Sequence, residues 1–96
     1  MNYCEWKLPD GQKFTIDVNT DVNSYIWGSI KYVGYRIPNC DVGNCIKSCD
    51  IKITDAKKST HRGEWTCTSV VKVDYGKYVD KTNITFDGGV ISKLKV

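Results

Sequence analysis

Alternation of apolar and polar residues recurs along the chain and predicts short β-strands. Residues 13–18, KFTIDV, are the cleanest case, because Phe14, Ile16 and Val18 share one face while polar residues occupy the other. Upstream, YCEWKL alternates in the same way. Pro9-Asp10-Gly11 separates these two segments with residues typical of a tight turn. The two strands are therefore predicted to form a hairpin.

The longest alternating stretch is RGEWTCTSVVKVDYG, which begins at Arg62 and predicts a further strand. Trp65 and Cys67 are two residues apart in it, so on a strand they point to the same face. Cys4 and Trp6 repeat this arrangement near the start of the chain. Two strands that each turn a cysteine and a tryptophan inward, far apart in sequence, indicate two sheets joined through their middle by Cys4 and Cys67.

The remaining segments also favour strands. CDIKIT alternates, with Cys49, Ile51 and Ile53 on one face. SYIWGSIKYVGYRI predicts one or two short strands with bends at Gly28 and Gly34. Past Gly76, which is expected to end the long strand, YVDKTNITF and VISKLKV are two more candidates.

Helical periodicity is missing from every window, although the polar loop DAKKSTHRG could hold one or two turns of helix. Seven or eight short strands at regular intervals predict an all-β fold, a two-sheet antiparallel β-sandwich or barrel. With 96 residues, of which 41% are hydrophobic, the chain fits a single domain, residues 1–96, with a modest core.

The number of cysteines indicates the cellular compartment in which the chain is found. A domain of this size is only marginally stable without further links, and five cysteines point to disulfides formed in an oxidising compartment. We therefore expect a secreted protein or the extracellular side of a membrane protein. The chain shows no signal peptide, so a mature or excised segment is expected. Because the number is odd, one cysteine stays free or pairs with another chain, which would allow a homodimer.

Charge narrows the range of partners. Fourteen basic and eleven acidic residues give a net charge of +3, and the two signs are interspersed without a run of five like charges. This pattern argues against nucleic acid as a partner. No stretch has the apolar length of a membrane span, so no membrane insertion is expected.

Residues 61–67 resemble a late-strand signature of immunoglobulin-type domains, in which an acidic residue, a glycine, a tyrosine and a cysteine alternate with variable residues. Gly63, Trp65 in the aromatic position and Cys67 match this signature, while His61 occupies the acidic position. The 63-residue separation of Cys4 and Cys67 suits the inter-sheet disulfide of the family. The chain is similar to immunoglobulin-like domains of secreted and cell-surface arthropod proteins.

One departure from the family pattern concerns its core tryptophan. That residue normally lies on the strand after the first cysteine, where this chain has Phe14, Ile16 and Val18. Trp27 lies too far along the chain, and we expect Trp6 to fill this volume instead.

The other three cysteines leave several pairings open. We expect a second disulfide between Cys40 and Cys49, with Cys45 as the free or intermolecular thiol, although sequence cannot decide the connectivity. A zinc site formed by these three cysteines and His61 is the alternative. It is disfavoured because structural zinc sites more often contain tight CxxC pairs.

Residue types that support catalysis are not grouped. His61 has no recognisable serine, cysteine or acid group beside it, so we interpret it as a loop histidine and expect neither an enzyme nor a cofactor. Lys57, Lys58 and Arg62 join it in a small basic cluster, interpreted as a solvated loop, with a polyanion site as the alternative. Asn83-Ile84-Thr85 is a sequon, which predicts a glycosylation site at Asn83.

Aromatic residues supply the candidate binding surface. Six tyrosines and three tryptophans are many for this length, and one interpretation is that half of them pack inside. The other is a binding surface, because exposed aromatic residues provide large contact areas at low entropic cost. The immunoglobulin resemblance implies that the middle strands and the loop after the second cysteine share one sheet. That arrangement would bring together the predicted partner-binding residues, which are Tyr25, Tyr32, Tyr35, Tyr75 and Tyr78.

The sequence therefore predicts a non-catalytic extracellular recognition module, of the adhesion or immune type, that binds an unidentified protein. This step rests on fold analogy. The alternative is a free-standing, secreted, cysteine-rich effector, toxin or inhibitor.

Overall fold

Two four-stranded antiparallel sheets make up the fold in a computed structural model of the chain. The structure describes residues 1–40, 45–55 and 61–87, together with the backbone of residues 93–94. The strands are β1 (Tyr3–Lys7), β2 (Lys13–Ile16), β3 (Tyr25–Trp27), β4 (Ile30–Tyr32), β5 (Ile51–Ile53), β6 (Gly63–Val73), β7 (Gly76–Phe86) and β8 (Lys93–Leu94). The first sheet has the order β2-β1-β6-β7 and the second the order β3-β4-β5-β8. The all-β prediction is confirmed.

The first two strands form the predicted hairpin. Cys4 pairs with Ile16 and Trp6 with Phe14, so the apolar residues of both strands face the same side. The turn closes where the Gly11 N–H donates to the Leu8 carbonyl over 3.0 Å. The alternating pattern and the turn residues therefore specify this unit locally.

Strands β6 and β7 form one long hairpin that the sequence did not reveal. Gly76 was expected to end the preceding strand and to start a break. Instead, the chain reverses at Asp74 and Tyr75, and Val73 pairs with Gly76 at the start of β7. From there the two strands stay in register through all 11 residues of each, as far as the pair Gly63–Phe86.

The core between the sheets is organised around two tryptophans. Trp6 and Trp65 are fully buried and meet edge to face, with ring centroids 6.3 Å apart. Each indole N–H has a backbone acceptor: Trp6 donates to the Cys49 carbonyl and Trp65 to the His61 carbonyl. Burying an indole without an acceptor would be costly, so these bonds allow both rings to stay inside. Trp6 thus occupies the core as expected.

Disulfide pairing differs from every expected bridge. Cys4 bonds to Cys49, and Cys40 bonds to Cys45. The predicted Cys4–Cys67 and Cys40–Cys49 bonds are wrong, and so is the assignment of Cys45 as the unpaired thiol, which is Cys67.

The physical reason is that β1 and β6 are neighbours in the first sheet, where Trp6 lies directly opposite Cys67. A Cys4–Cys67 bond would therefore stay within one sheet. Cys49 lies two residues before β5, a strand of the second sheet. Its bond to Cys4 therefore links the two sheets.

Gly34 is the one predicted bend at which a side chain has no room. A Cβ atom there would lie 2.2 Å from the Ser48 carbonyl oxygen and 2.7 Å from the Tyr32 ring. The segment after β4 can therefore pack closely on residues 45–50 only because this position is glycine.

No helix in the described part of the chain is long and apolar enough to span a membrane. Residues 56–60 of the predicted polar loop lie outside the described residues.

Candidate functional site

The turn end of the β6–β7 hairpin extends beyond β1, the strand that pairs with the other edge of β6. Strand β1 covers β6 only between Thr66 and Val70. Asn2 extends this cover by one step, since its N–H donates to the Val70 carbonyl and its side-chain oxygen accepts from the Lys72 N–H. We call residues 71–79 the hairpin arm. It is a two-stranded ribbon, and β7 is the edge of the described sheet.

Apolar side chains line this arm although little covers them. Val71 lies opposite Tyr78, and alternation places Val73 on the same face. Further along β6, this is the face that carries Trp65 and Cys67, which are fully buried. Beyond the polar Ser69, this face of β6 therefore carries Val71 and Val73, and its burial falls from Cys67 to Val73.

Exposure is high at this end of the hairpin. The exposed fractions are 36% for Val73, 88% for Tyr75, 63% for Tyr78 and 49% for Val79. An isolated two-stranded ribbon is only marginally stable in water, and its edge offers unpaired backbone groups. The arm thus has the composition of a contact surface, and Lys72 ties its base to Asn2 and lies near the Tyr3 ring.

The predicted tyrosine surface is divided by the structure. Tyr25 lies on β3 of the second sheet, whereas Tyr75 and Tyr78 belong to the arm of the first sheet, so they do not share a sheet as expected. Tyr35 is exposed in the segment after β4.

Tyr32 was wrongly placed on the binding surface. Its ring is fully buried in the core, and its hydroxyl donates to the Ser48 carbonyl over 2.9 Å. The pKa of this hydroxyl is raised by burial. The reason for the error is that residues 30–32 alternate, so that Ile30 and Tyr32 both face inward.

Three sulfur atoms lie together in the core beside the tryptophans. The Sγ atoms of Cys4, Cys49 and Cys67 lie within 4.8 Å of one another, and all three residues are fully buried. Burial raises the pKa of the Cys67 thiol to about 11, a direction that a hydrogen bond with Ser69 partly opposes. A raised pKa disfavours the thiolate, which is the reactive and metal-binding form.

This cluster does not form a metal site in the oxidised chain, because Cys4 and Cys49 are bonded to each other. The zinc alternative is also ruled out in this state, since Cys40 and Cys45 are joined as well. His61 is buried and stacks on Trp65 with centroids 6.1 Å apart. It is therefore part of the core rather than the solvated loop that the sequence indicated.

The structure describes the predicted glycosylation site and part of the predicted basic cluster. Asn83 is exposed on β7, and its side-chain oxygen accepts from the Thr66 hydroxyl over 3.0 Å, so the sequon is sterically open. Use of this sequon stays a prediction. In the basic cluster, Arg62 is exposed, while Lys57 and Lys58 lie outside the described residues.

Sequence reasoning missed the hairpin arm because it treated Gly76 as a strand end. The available signal was Asp74-Tyr75-Gly76 between two runs of β-favouring residues, which is typical of a tight hairpin turn.

Comparison with known proteins adds no relative: no family model, no curated protein and no solved structure matches this chain.

Proposed function

We propose that this chain is a non-catalytic, extracellular protein-binding module whose contact surface is the hairpin arm. One observation carries the proposal. The face of β6 that carries Val71 and Val73 reaches the exposed end of the hairpin, where Tyr78, opposite Val71, and the turn residue Tyr75 are largely exposed. Exposed apolar patches of this kind mark interaction sites more often than they arise by chance. Tyrosine rings are favoured at such sites because each combines apolar area with a polar tip.

Chemistry within the described residues supports binding rather than catalysis. The free thiol, Cys67, is buried, and its pKa is shifted upward, whereas nucleophilic cysteines are exposed and have lowered pKa values. A disulfide-linked homodimer through this residue would first require the core to open.

The proposal includes an immunoglobulin-like architecture, but only in the general features of that architecture. Two packed antiparallel sheets, a buried disulfide and core tryptophans support it. The strand order counts against a standard member, because the constant-type domain divides its strands as 1-2-5-4 and 3-6-7. Here the first sheet contains β1, β2, β6 and β7. The resemblance is therefore used only for the class of function.

Extracellular localisation rests on the two disulfides. Small domains with more than one disulfide are typical of oxidising compartments. The same observation favours the second candidate, a free-standing secreted effector or inhibitor. Activity of the isolated 96-residue chain on a target cell or enzyme would distinguish that candidate from a recognition module.

Binding can be tested with matched tyrosine variants. The chain is screened against an array of purified extracellular domains, and each hit is measured again with the double variant Tyr75→Ser/Tyr78→Ser. Tyr25→Ser is the control, because Tyr25 is 57% exposed on the other sheet, close to the exposure of Tyr78. We expect the arm variant to lose about 2 kcal/mol of binding energy, roughly 30-fold in Kd, and the control to lose less than about twofold. An array without hits, or hits that bind the arm variant normally, would contradict the proposal.

A further inference from the structure

Lysines are aligned across the outer face of the second sheet. Lys31 on β4 lies directly opposite Lys52 on β5. The backbone register then brings Lys93 of β8 opposite Lys52, and Tyr25 of β3 opposite Lys31. Residues opposed on neighbouring antiparallel strands have Cα atoms about 5 Å apart. We call the directly opposed pair Lys31 and Lys52 the lysine row.

This alignment is electrostatically unfavourable in the free protein. Like charges placed directly opposite each other destabilise a sheet. Among residues 1–40, 45–55 and 61–87, no carboxylate lies within 4.0 Å of the amines of Lys31 or Lys52, and the ion pair found there joins Lys13 to Glu5 on the first sheet. The Lys31 amine instead lies 4.7 Å from the centroid of the Tyr25 ring, on the side of β4 away from β5.

A shallow open cavity lies over the row. Its volume is about 440 Å³, and it is lined by Asn23, Lys31, Val33 and Lys52. Asn23 is fixed at the rim because its N–H donates to the Tyr32 carbonyl over 2.7 Å. The lining therefore includes two lysines and an asparagine, residue types that provide several hydrogen-bond donors and net positive charge.

We propose that the lysine row is a binding site for an oligoanion that carries two or more sulfate or phosphate groups. Two directly opposed lysines require at least two negative charges at short spacing, which a single carboxylate does not supply. Lysine presents a compact charge that suits the tetrahedral oxygens of such groups. The site is separate from the proposed protein-binding surface, because the hairpin arm belongs to the other sheet.

Two probes distinguish the sources of this chemistry. Inorganic tripolyphosphate carries phosphate groups without sugar, and a heparin-derived tetrasaccharide carries sulfate esters. Each is titrated into the isotope-labelled chain at low ionic strength, with amide chemical shifts and calorimetry as the readouts. We expect the amides of Lys31, Val33 and Lys52 to shift first. Binding of one probe alone identifies the type of anionic group, and comparable binding of both shows that charge spacing decides recognition.

A matched charge variant separates this site from general attraction. Lys31→Ala/Lys52→Ala removes the lysine row, and Lys72→Ala/Lys77→Ala removes another directly opposed pair, on the hairpin. Both variants lower the net charge equally, and both must still unfold cooperatively. We expect the affinity for the bound probe to fall about tenfold or more in the first variant and less than about twofold in the second.

Three results would overturn the proposal: neither probe binds, both variants lose affinity equally, or the shifts map to the hairpin. The first variant leaves the surface of the arm intact, and the arm is tested separately with protein partners. The oligoanion site and the protein-binding proposal can therefore fail separately.

Discussion

Cys4 and Cys67 lie on neighbouring strands of the same sheet, although both turn their sulfur atoms into the core. Their strands, β1 and β6, pair so that Cys67 is opposite Trp6 and Cys4 is opposite Ser69. The inter-sheet bond is instead made by Cys49, which approaches from the side of β5. The consequence is a buried thiol beside a buried disulfide, and several predictions depend on this arrangement.

Unfolding should become easier above pH 9 because of Cys67. Its pKa is raised on folding from 9.0 to about 11, so in that interval the unfolded thiol loses its proton while the folded thiol keeps it. Stability is therefore unaffected below this interval and falls as the pH rises through it. Urea unfolding of the wild type and of Cys67→Ala between pH 7 and about pH 10 measures the effect. The wild type should lose stability relative to the variant, and parallel pH profiles would show that the thiol is not shielded.

Truncation of Trp6 should be far more costly than truncation of Trp27. Trp6→Phe removes the indole N–H that satisfies the Cys49 carbonyl and leaves a space beside Trp65. We expect a loss of about 2–4 kcal/mol in the free energy of unfolding. Trp27 is only partly buried, so Trp27→Phe serves as the control and should cost less than about 1 kcal/mol. Chemical denaturation of both variants checks this, and equal losses would mean that Trp6 is not the central core residue.

A methyl group at Gly34 should destabilise the fold. The added Cβ would meet the backbone of Ser48, which cannot move as easily as a side-chain tip. We expect Gly34→Ala to lower the free energy of unfolding by about 1–3 kcal/mol. Thr15→Ala, at an exposed position of β2, should change it by no more than about 0.5 kcal/mol. If Gly34→Ala melts like the wild type, the segment after β4 does not pack on residues 45–50 as described.

Salt should reveal the repulsion within the lysine row. Lys52→Gln removes one of two directly opposed charges, so it should stabilise the free chain at low ionic strength by about 0.2–1 kcal/mol. The gain should shrink at high salt, because screening already weakens the repulsion in the wild type. Thermal unfolding of both proteins at two salt concentrations tests this. A gain that does not depend on salt would assign the effect to something other than charge.

Local patterns predicted the strands well because alternation depends only on neighbouring residues. The Cys4–Trp6 and Trp65–Cys67 pairs do face the core, and the β1–β2 hairpin follows from Pro9-Asp10-Gly11. The pattern could not show which sheet a strand joins, since an inward-facing cysteine looks the same in either sheet. This ambiguity led to the incorrect Cys4–Cys67 bond.

The candidate surfaces were harder to predict for a related reason. Tyr32 and Tyr78 both occur in β-favouring runs, and only the partner strands decide that the first is buried and the second exposed. Similarly, Lys31 and Lys52 are separated by 21 residues in sequence, and their opposition depends on the register of β4 with β5. Both sites therefore depend on long-range strand pairing, which no local pattern in the sequence indicates.

Disulfide mapping tests the central arrangement most directly. The native chain is unfolded in acid, which suppresses thiol exchange, then alkylated and digested with trypsin without reduction. Cleavage after lysine and arginine separates the relevant cysteines into peptides 1–7, 37–47, 48–52 and 63–72. The expected map joins peptide 1–7 to peptide 48–52, closes a bond within peptide 37–47, and carries one label on Cys67. A bond between peptides 1–7 and 63–72, with the label on Cys49, would contradict it.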